Sequence, residues 1–230
     1  NDALGDALTA VDYTTYDYPQ ALDVFSSTLN SLQNYVSTLS QNDNTRFRSS
    51  ETGYTFADLN ESINTLRSVD YATLSSYVLG KNVTKDKASL AIYYQYRIDN
   101  LNRNLSSANE KLATITDSIK NYQKDSMVVM AGADATSSSA LTQPSEAYDD
   151  LISQKTDAQS SVSSYQQQIT DYQSRLDKLN SSAVASKKDQ EKVETDMKTV
   201  CDKLNKLIDD VNATADDYFC LLYTSPSPRD

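Results

Sequence analysis

The sequence predicts an all-α fold: an elongated antiparallel helical bundle or coiled coil with one very long C-terminal helix. Three observations carry this. Apolar residues recur in alternating steps of three and four over long stretches, which puts them on one face of a helix. Helix breakers are scarce, with four Gly and four Pro in 230 residues, and two of those prolines, Pro226 and Pro228, lie at the extreme C-terminus. The hydrophobic share is 38%, below the roughly 45–50% usual for globular chains, as expected of solvated helices with narrow seams. The heptads decide against the disorder that such polarity would otherwise suggest.

Residues 1–18 form an irregular N-terminal segment. Val11 to Tyr18 has strand-like content without clean alternation. Pro19 suits the first turn of a helix, and Leu22, Phe25, Leu29, Leu32, Val36 and Leu39 place that helix at about 20–41. Gln41-Asn-Asp-Asn44 reads as a loop. Thr55-Phe-Ala-Asp58 has capping-box spacing with Asp in place of Glu. It predicts a helix at 55–66 carrying Leu59, Ile63 and Leu66. Asp70 is expected to cap a second short helix at 70–79, with Gly80 at its C-terminal turn. Thr84 is the expected cap of a helix at 85–124, and Asp86 suits its dipole. Its stripe is Tyr94, Ile98, Leu101, Leu105, Ala108, Leu112, Ile115, Ile119 and Tyr122. Residues 125–143, with Met127-Val-Val-Met130 and Gly132, predict a tip loop or a small strand-containing tip before Pro144 restarts a helix.

From Tyr148 the stripe continues through Leu151, Ala158, Tyr165, Tyr172, Leu179, Ser186, Val193, Val200, Leu207 and Thr214 to Tyr218 without a stutter. This predicts one helix over 145–218, roughly 110 Å long at 1.5 Å per residue. A bend or turn is the alternative at the weak layer Ala183, Ser186 and Gln190. The economical arrangement sets 85–124 antiparallel to 145–180 and packs 20–41 on 190–218, with 44–80 covering the join. Few residues per heptad are buried in such a rod, so lateral self-association or membrane tethering is expected. The helical domain thus spans 19–219. Residues 220–230, Cys-Leu-Leu-Tyr-Thr-Ser-Pro-Ser-Pro-Arg-Asp, resemble translated sequencing adapter, a non-native tail replacing the continuation of a helix expected to stop at Phe219. The native chain is then open at both ends.

Net charge is −11, unaltered by the tail because Arg229 and Asp230 cancel. That excludes the clustered cations of a nucleic-acid binder and a basic membrane-surface helix. There is no His and no Trp. Outside the tail Cys201 is the one cysteine, so neither a disulfide nor a zinc spacing arises; it reads as a helix-flank residue. Asp149/Asp150, Asp209/Asp210 and Asp216/Asp217 are adjacent on helices and point about 100° apart. No catalytic, cofactor-binding or metal-ligating residue is therefore singled out, and no cofactor is expected. Asn42-Asp-Asn44 lacks the Gly and Glu of an EF-hand. Favourable i,i+4 ion pairs are expected for Asp171–Arg175, Glu194–Lys198 and Asp202–Lys206. Tyrosines at 94, 122, 148, 165, 172 and 218 fall on the seam, as packing residues; stacking on sugar rings is the sharper alternative. Five Asn-X-Ser/Thr triplets, at Asn60, Asn82, Asn104, Asn180 and Asn212, are expected by chance in so Asn- and Ser-rich a chain.

Asn82-Val-Thr-Lys-Asp-Lys87, Tyr93-Tyr-Gln-Tyr-Arg-Ile98, Lys120-Asn-Tyr-Gln-Lys124, the apolar Met127–Met130 and Asn212-Ala-Thr-Ala-Asp-Asp-Tyr-Phe219 carry a resemblance. The chain resembles the extracytoplasmic region of Wzz-like polysaccharide chain-length determinants, the polysaccharide co-polymerases. The resemblance implies a helical ectodomain between two membrane spans, lying outside this sequence. It implies oligomerisation, a place in the cell envelope among the polysaccharide polymerase or export machinery, and regulation of chain length or export without catalysis. The family's Pro-rich stretch near the second span is not visible here. Two other readings stand beside it: the helical hairpin of an export-complex adaptor, and an extracellular or phage coiled-coil stalk.

Overall fold

The computed structural model describes residues 8–43, 46–131, 146–183 and 185–224. They form α1 (Tyr18–Asn42), α2 (Phe56–Thr65), a π-helical turn (Leu66–Tyr71), α3 (Ala72–Lys81), α4 (Lys87–Ala131), α5 (Glu146–Ser181) and α6 (Lys187–Thr224). Among the described residues there is no strand, only an isolated bridge between Arg48 and Thr55. The all-α class is as the periodicity predicts. The chain divides into two compact units. One draws on the chain up to Leu90 and from Ser182 onward; the other is Ala91–Ser181.

In the first unit α1 packs beside α6, and α2, the π-turn and α3 pack on both. Leu22, Phe25, Leu29, Leu32 and Val36 of α1 are at most 1% exposed, as are Val193, Met197, Leu204 and Val211 of α6. The two helices run parallel. Tyr18 in the first turn of α1 lies against Glu194, and Tyr218 donates its hydroxyl to the Asn42 carbonyl at the other end (3.2 Å). Antiparallel packing therefore does not extend to this pair. Helices adjacent in space but remote in sequence are free to run either way, since a long connection joins them.

In the second unit α4 and α5 are antiparallel. Tyr94 meets Tyr172 (centroids 5.9 Å apart), Ile115 and Ile119 cluster with Ala158, and Tyr122 meets Tyr148 (5.3 Å). The guanidinium groups of Arg97 and Arg175 lie 5.3 and 5.2 Å from the Tyr172 ring, a geometry that adds cation–π attraction to the seam.

Several local expectations are corrected. The C-terminal stripe is carried by two helices, not one: α5 ends at Ser181 and α6 begins at Lys187. Ser186 starts the new helix. Its Oγ accepts from Asp189 N (3.1 Å) and donates to the Asp189 carboxylate (2.5 Å). Capping chemistry thus wins where the seam offers only small and polar residues. In the sequence the spacing of the stripe runs on across the connection, from Leu179 to Val193. The first part of the expected tip, 125–131, is helical and belongs to α4, with no Gly or Pro to stop it before Gly132; residues 132–143 lie outside the described residues, as do 1–7. Likewise α6 runs on past Phe219 to Thr224, so the patterned helix does not stop where the adapter-like tail begins.

The two short helices expected at 55–66 and 70–79 form one helical run through a π-turn. Thr55 and Asp58 make the predicted capping box. Leu66 and Leu74, both buried, are eight residues apart rather than seven. The wider π-turn absorbs the extra residue and returns Leu74 and Val78 to the face of Leu59 and Ile63. Asp70 is therefore not a cap. Gly80 lies inside α3, and Asn82, with φ 53°, takes the left-handed terminal position, which Asn tolerates through local hydrogen bonding. Asp86 rather than Thr84 caps α4, accepting from Ala88 N (2.9 Å) and Ser89 N (3.3 Å). The Thr84 hydroxyl donates instead to the buried Asp17 carboxylate (2.7 Å), whose same oxygen accepts from Lys85 N and Asp86 N. One side chain thereby ties the start of α1 to the start of α4.

Candidate functional site

Two opposite flanks of α6 in the first unit concentrate the polar chemistry. On one flank a groove of about 740 Å³ is lined by α2, the π-turn, the 46–55 loop and α6. That volume falls within the range of ligand pockets. Arg48, Lys203 and Lys206 border it, and each faces a carboxylate. Lys203 Nζ bonds Asp70 (2.6 Å), Lys206 Nζ bonds Asp210 (2.7 Å), and Arg48 lies 3.7 Å from Asp58. Leu66 and Leu207 supply apolar lining. Ion pairs so exposed are screened and contribute little to stability. The groove presents alternating charge rather than one dominant sign.

Beside this groove the 46–55 loop is pinned to α6 by Asp217. Its carboxylate accepts from Ser49 Oγ (2.8 Å), Ser50 N (2.7 Å) and Ser50 Oγ (3.1 Å). Those donors, Ser49 above all, hold the Asp217 carboxyl below its ordinary pKa.

On the other flank α6 holds the segment before α1 by its main chain. Asn205 Oδ1 accepts from Val11 N (2.7 Å), and its Nδ2 donates to Val11 O (2.9 Å). Asn212 does the same for Leu8, at 3.1 and 2.8 Å. Cys201 Sγ donates to Val11 O (3.3 Å). Cys201 is 5% exposed, and burial, with the negative charge of Asp202 and Asp12, pushes its thiol pKa up, which keeps it protonated and unreactive. It is thus part of the core beneath the segment rather than a plain flank residue. Tyr13 comes next, edge-on to Phe25 with its hydroxyl on Glu194 (3.3 Å). Burial first, then Glu194, pushes Tyr13 and Tyr18 up to about 12.

The remaining residues marked by the sequence occupy ordinary structural positions. Asp171–Arg175 pairs as expected (2.7 Å). Glu194 turns to Tyr13 instead of Lys198, and the α6 pairs run the other way, Lys198 to Asp202 and Lys206 to Asp210. Of the adjacent acids, Asp210 serves Lys206 and Asp217 serves the loop, while Asp149 and Asp150 are exposed near the start of α5. Among the described residues no group of three or more His, Cys, Asp or Glu side chains is placed to hold a metal ion. Tyr94, Tyr172 and Tyr218 are buried, so their rings pack against neighbours. Tyr165 is half-buried and borders a smaller hollow of about 270 Å³ in the second unit, where Ala108 and Ala158 thin the seam. Among the described residues no helix is long and apolar enough to cross a membrane. No family model matches the chain, and neither a curated protein nor a solved structure matches it.

Proposed function

We propose that the chain is the extracytoplasmic, non-catalytic scaffold of a membrane-anchored regulator of cell-surface polysaccharide chain length or export. The observation that carries the reading is the resemblance of 82–87, 93–98, 120–124 and 212–219 to Wzz-like ectodomains. Those stretches lie on or beside α4 and α6. The all-helical architecture and the antiparallel α4–α5 pair suit such a scaffold. The narrow seam of that pair, half-exposed at Leu105, Leu112 and Ile169, leaves apolar surface for self-association. The polymerase or export machinery is the proposed partner, and flanking spans are the proposed anchors.

The test is the native reading frame on both sides of 1–219, followed by its deletion in the source cell. The reading expects an apolar run of about 20 residues beyond each end and an altered polysaccharide length distribution in the deletion strain. Soluble continuations on both sides, or an unchanged distribution, would sink it. An export-adaptor hairpin shares the α4–α5 geometry, but its β-rich flanks have no counterpart in 56–81, which is helical.

A further inference from the structure

Asn205 and Asn212 act as two stations of one device. They are seven residues apart on α6 and grip residues three apart in an extended segment, Val11 and Leu8. The spacing is a ruler. Seven residues of α-helix rise about 10.5 Å, and three residues of extended chain cover about 10 Å. Successive carboxamides therefore meet the extended main chain in phase. All four bonds end on backbone N–H and C=O groups, and Thr9 and Ala10, between the stations, are exposed. The clasp reads extended conformation through the main chain, and at its two stations the half-buried Leu8 and Val11 side chains pack against the core.

The hinge is just as well marked. Tyr13 is 8% exposed and locked against Phe25, whereas Asp12 is exposed and its carboxylate bonds locally, to Thr14 N (2.9 Å) and Oγ1 (2.7 Å). A swing about Asp12 moves Leu8–Val11 off α6 and leaves Tyr13 in place.

We propose that the Asn205–Asn212 face is a docking track for extended polypeptide, and that on self-association it takes Leu8–Val11 of a second copy in exchange for its own. This rests on the self-association in the function proposed above. Exchange conserves every bond of the clasp, so the closed and exchanged forms differ only in the hinge and the encounter. Copies held side by side present the segment at a local concentration of roughly millimolar order, comparable with that of a short tether.

The test uses the full chain with Cys220→Ser and Leu8→p-benzoylphenylalanine, mixed as equal parts of light and nitrogen-15-labelled protein and irradiated. Exchange predicts cross-links between the segment and α6 that join light to heavy chains. Their share should rise with concentration, and the total yield of segment–α6 cross-links, mixed ones included, should fall by roughly tenfold in Asn205→Ala/Asn212→Ala, which removes both stations. Isotopically pure cross-links at every concentration, or mixed ones indifferent to the double substitution, overturn the proposal. Sedimentation of the same samples separates the two levels. Oligomers with pure cross-links overturn exchange alone, and a monomer throughout overturns the self-association reading with it. A second measurement needs no cross-linker. In Cys220→Ser protein the double substitution should raise the alkylation rate of Cys201 by roughly tenfold with far-UV circular dichroism unchanged; an unchanged rate overturns the clasp.

Discussion

In α6 the seam positions Val193, Met197, Val200, Leu204 and Val211 are at most 4% exposed, and Cys201, Ile208 and Ala215 beside them are buried as well. In α5 the same register buries only Ala158, Tyr172 and Leu179, with Leu151, Val162, Tyr165, Ile169 and Leu176 left half-buried. The heptad pattern is one and the same across both helices. What differs is the company: α6 is faced by α1, α2, α3 and the segment 8–13, while in its unit α5 is faced by α4. A stripe sets which face of a helix turns inward, and the number of elements closing over that face sets how deeply it is buried.

This contrast can be broken at its deepest point. Leu204→Ala empties a site that is 0% exposed and should cost about 2–5 kcal/mol. Leu105→Ala, at a half-buried α4 position, should cost roughly 1 kcal/mol because water already reaches the site. Urea unfolding of the two variants checks this, and equal losses would erase the distinction between the units. Tyr172→Ala probes a deeply packed aromatic of the second unit, ringed by Tyr93, Tyr94, Arg97 and Arg175. A loss of about 3 kcal/mol is expected. Hydrogen exchange should rise in the 94–112 and 158–179 stretches while α1 and α6 stay protected; faster exchange in α1 would show that the units melt as one. Ser186→Ala removes the cap at the break between the two helices and should lower stability by about 1 kcal/mol, read as a lower urea midpoint.

An alkaline titration sharpens the comparison further. Tyr13 and Tyr18 are pushed from 10.0 to about 12 by burial and Glu194. The fold favours the neutral phenols, so their contribution is fully present below pH 10 and is lost as pH rises through about 12. Tyrosinate absorbance should show these two ionising late, together with loosening of α1 from α6. Glu194→Gln should bring both nearer to the ordinary value.

The steps in 22–39, 94–122 and 148–218 were enough to read the fold class and to pair 85–124 with the first half of the C-terminal stripe. They could not show the break at 182–186, because the spacing of the stripe runs on across the connection in the sequence. The signal was local and lay outside the stripe, in the capping spacing of Ser186 and Asp189. The clasp was less legible still. Asn205 and Asn212 look like ordinary polar flank positions, and their partners are some two hundred residues away, at separations of 194 and 204. No periodicity announces a carboxamide that pairs with main chain. The charged groove is of the same kind: Lys203 and Asp70 become neighbours only once α6 lies beside the π-turn.

That π-turn gives the molecule a place where length can change without consequence. Elsewhere in the helical run from Phe56 to Lys81, losing a residue would rotate whatever lies downstream of it by about 100° relative to what lies upstream. At Leu66–Tyr71 the surplus residue is already stored in the backbone. Deleting the exposed Ser68 should tighten the wide turn into a regular one and leave both flanks in phase, with a melting temperature close to that of the parent. A one-codon deletion two turns earlier, at Asn60, should unfold the segment. The turn is the joint at which this chain has room for an odd number.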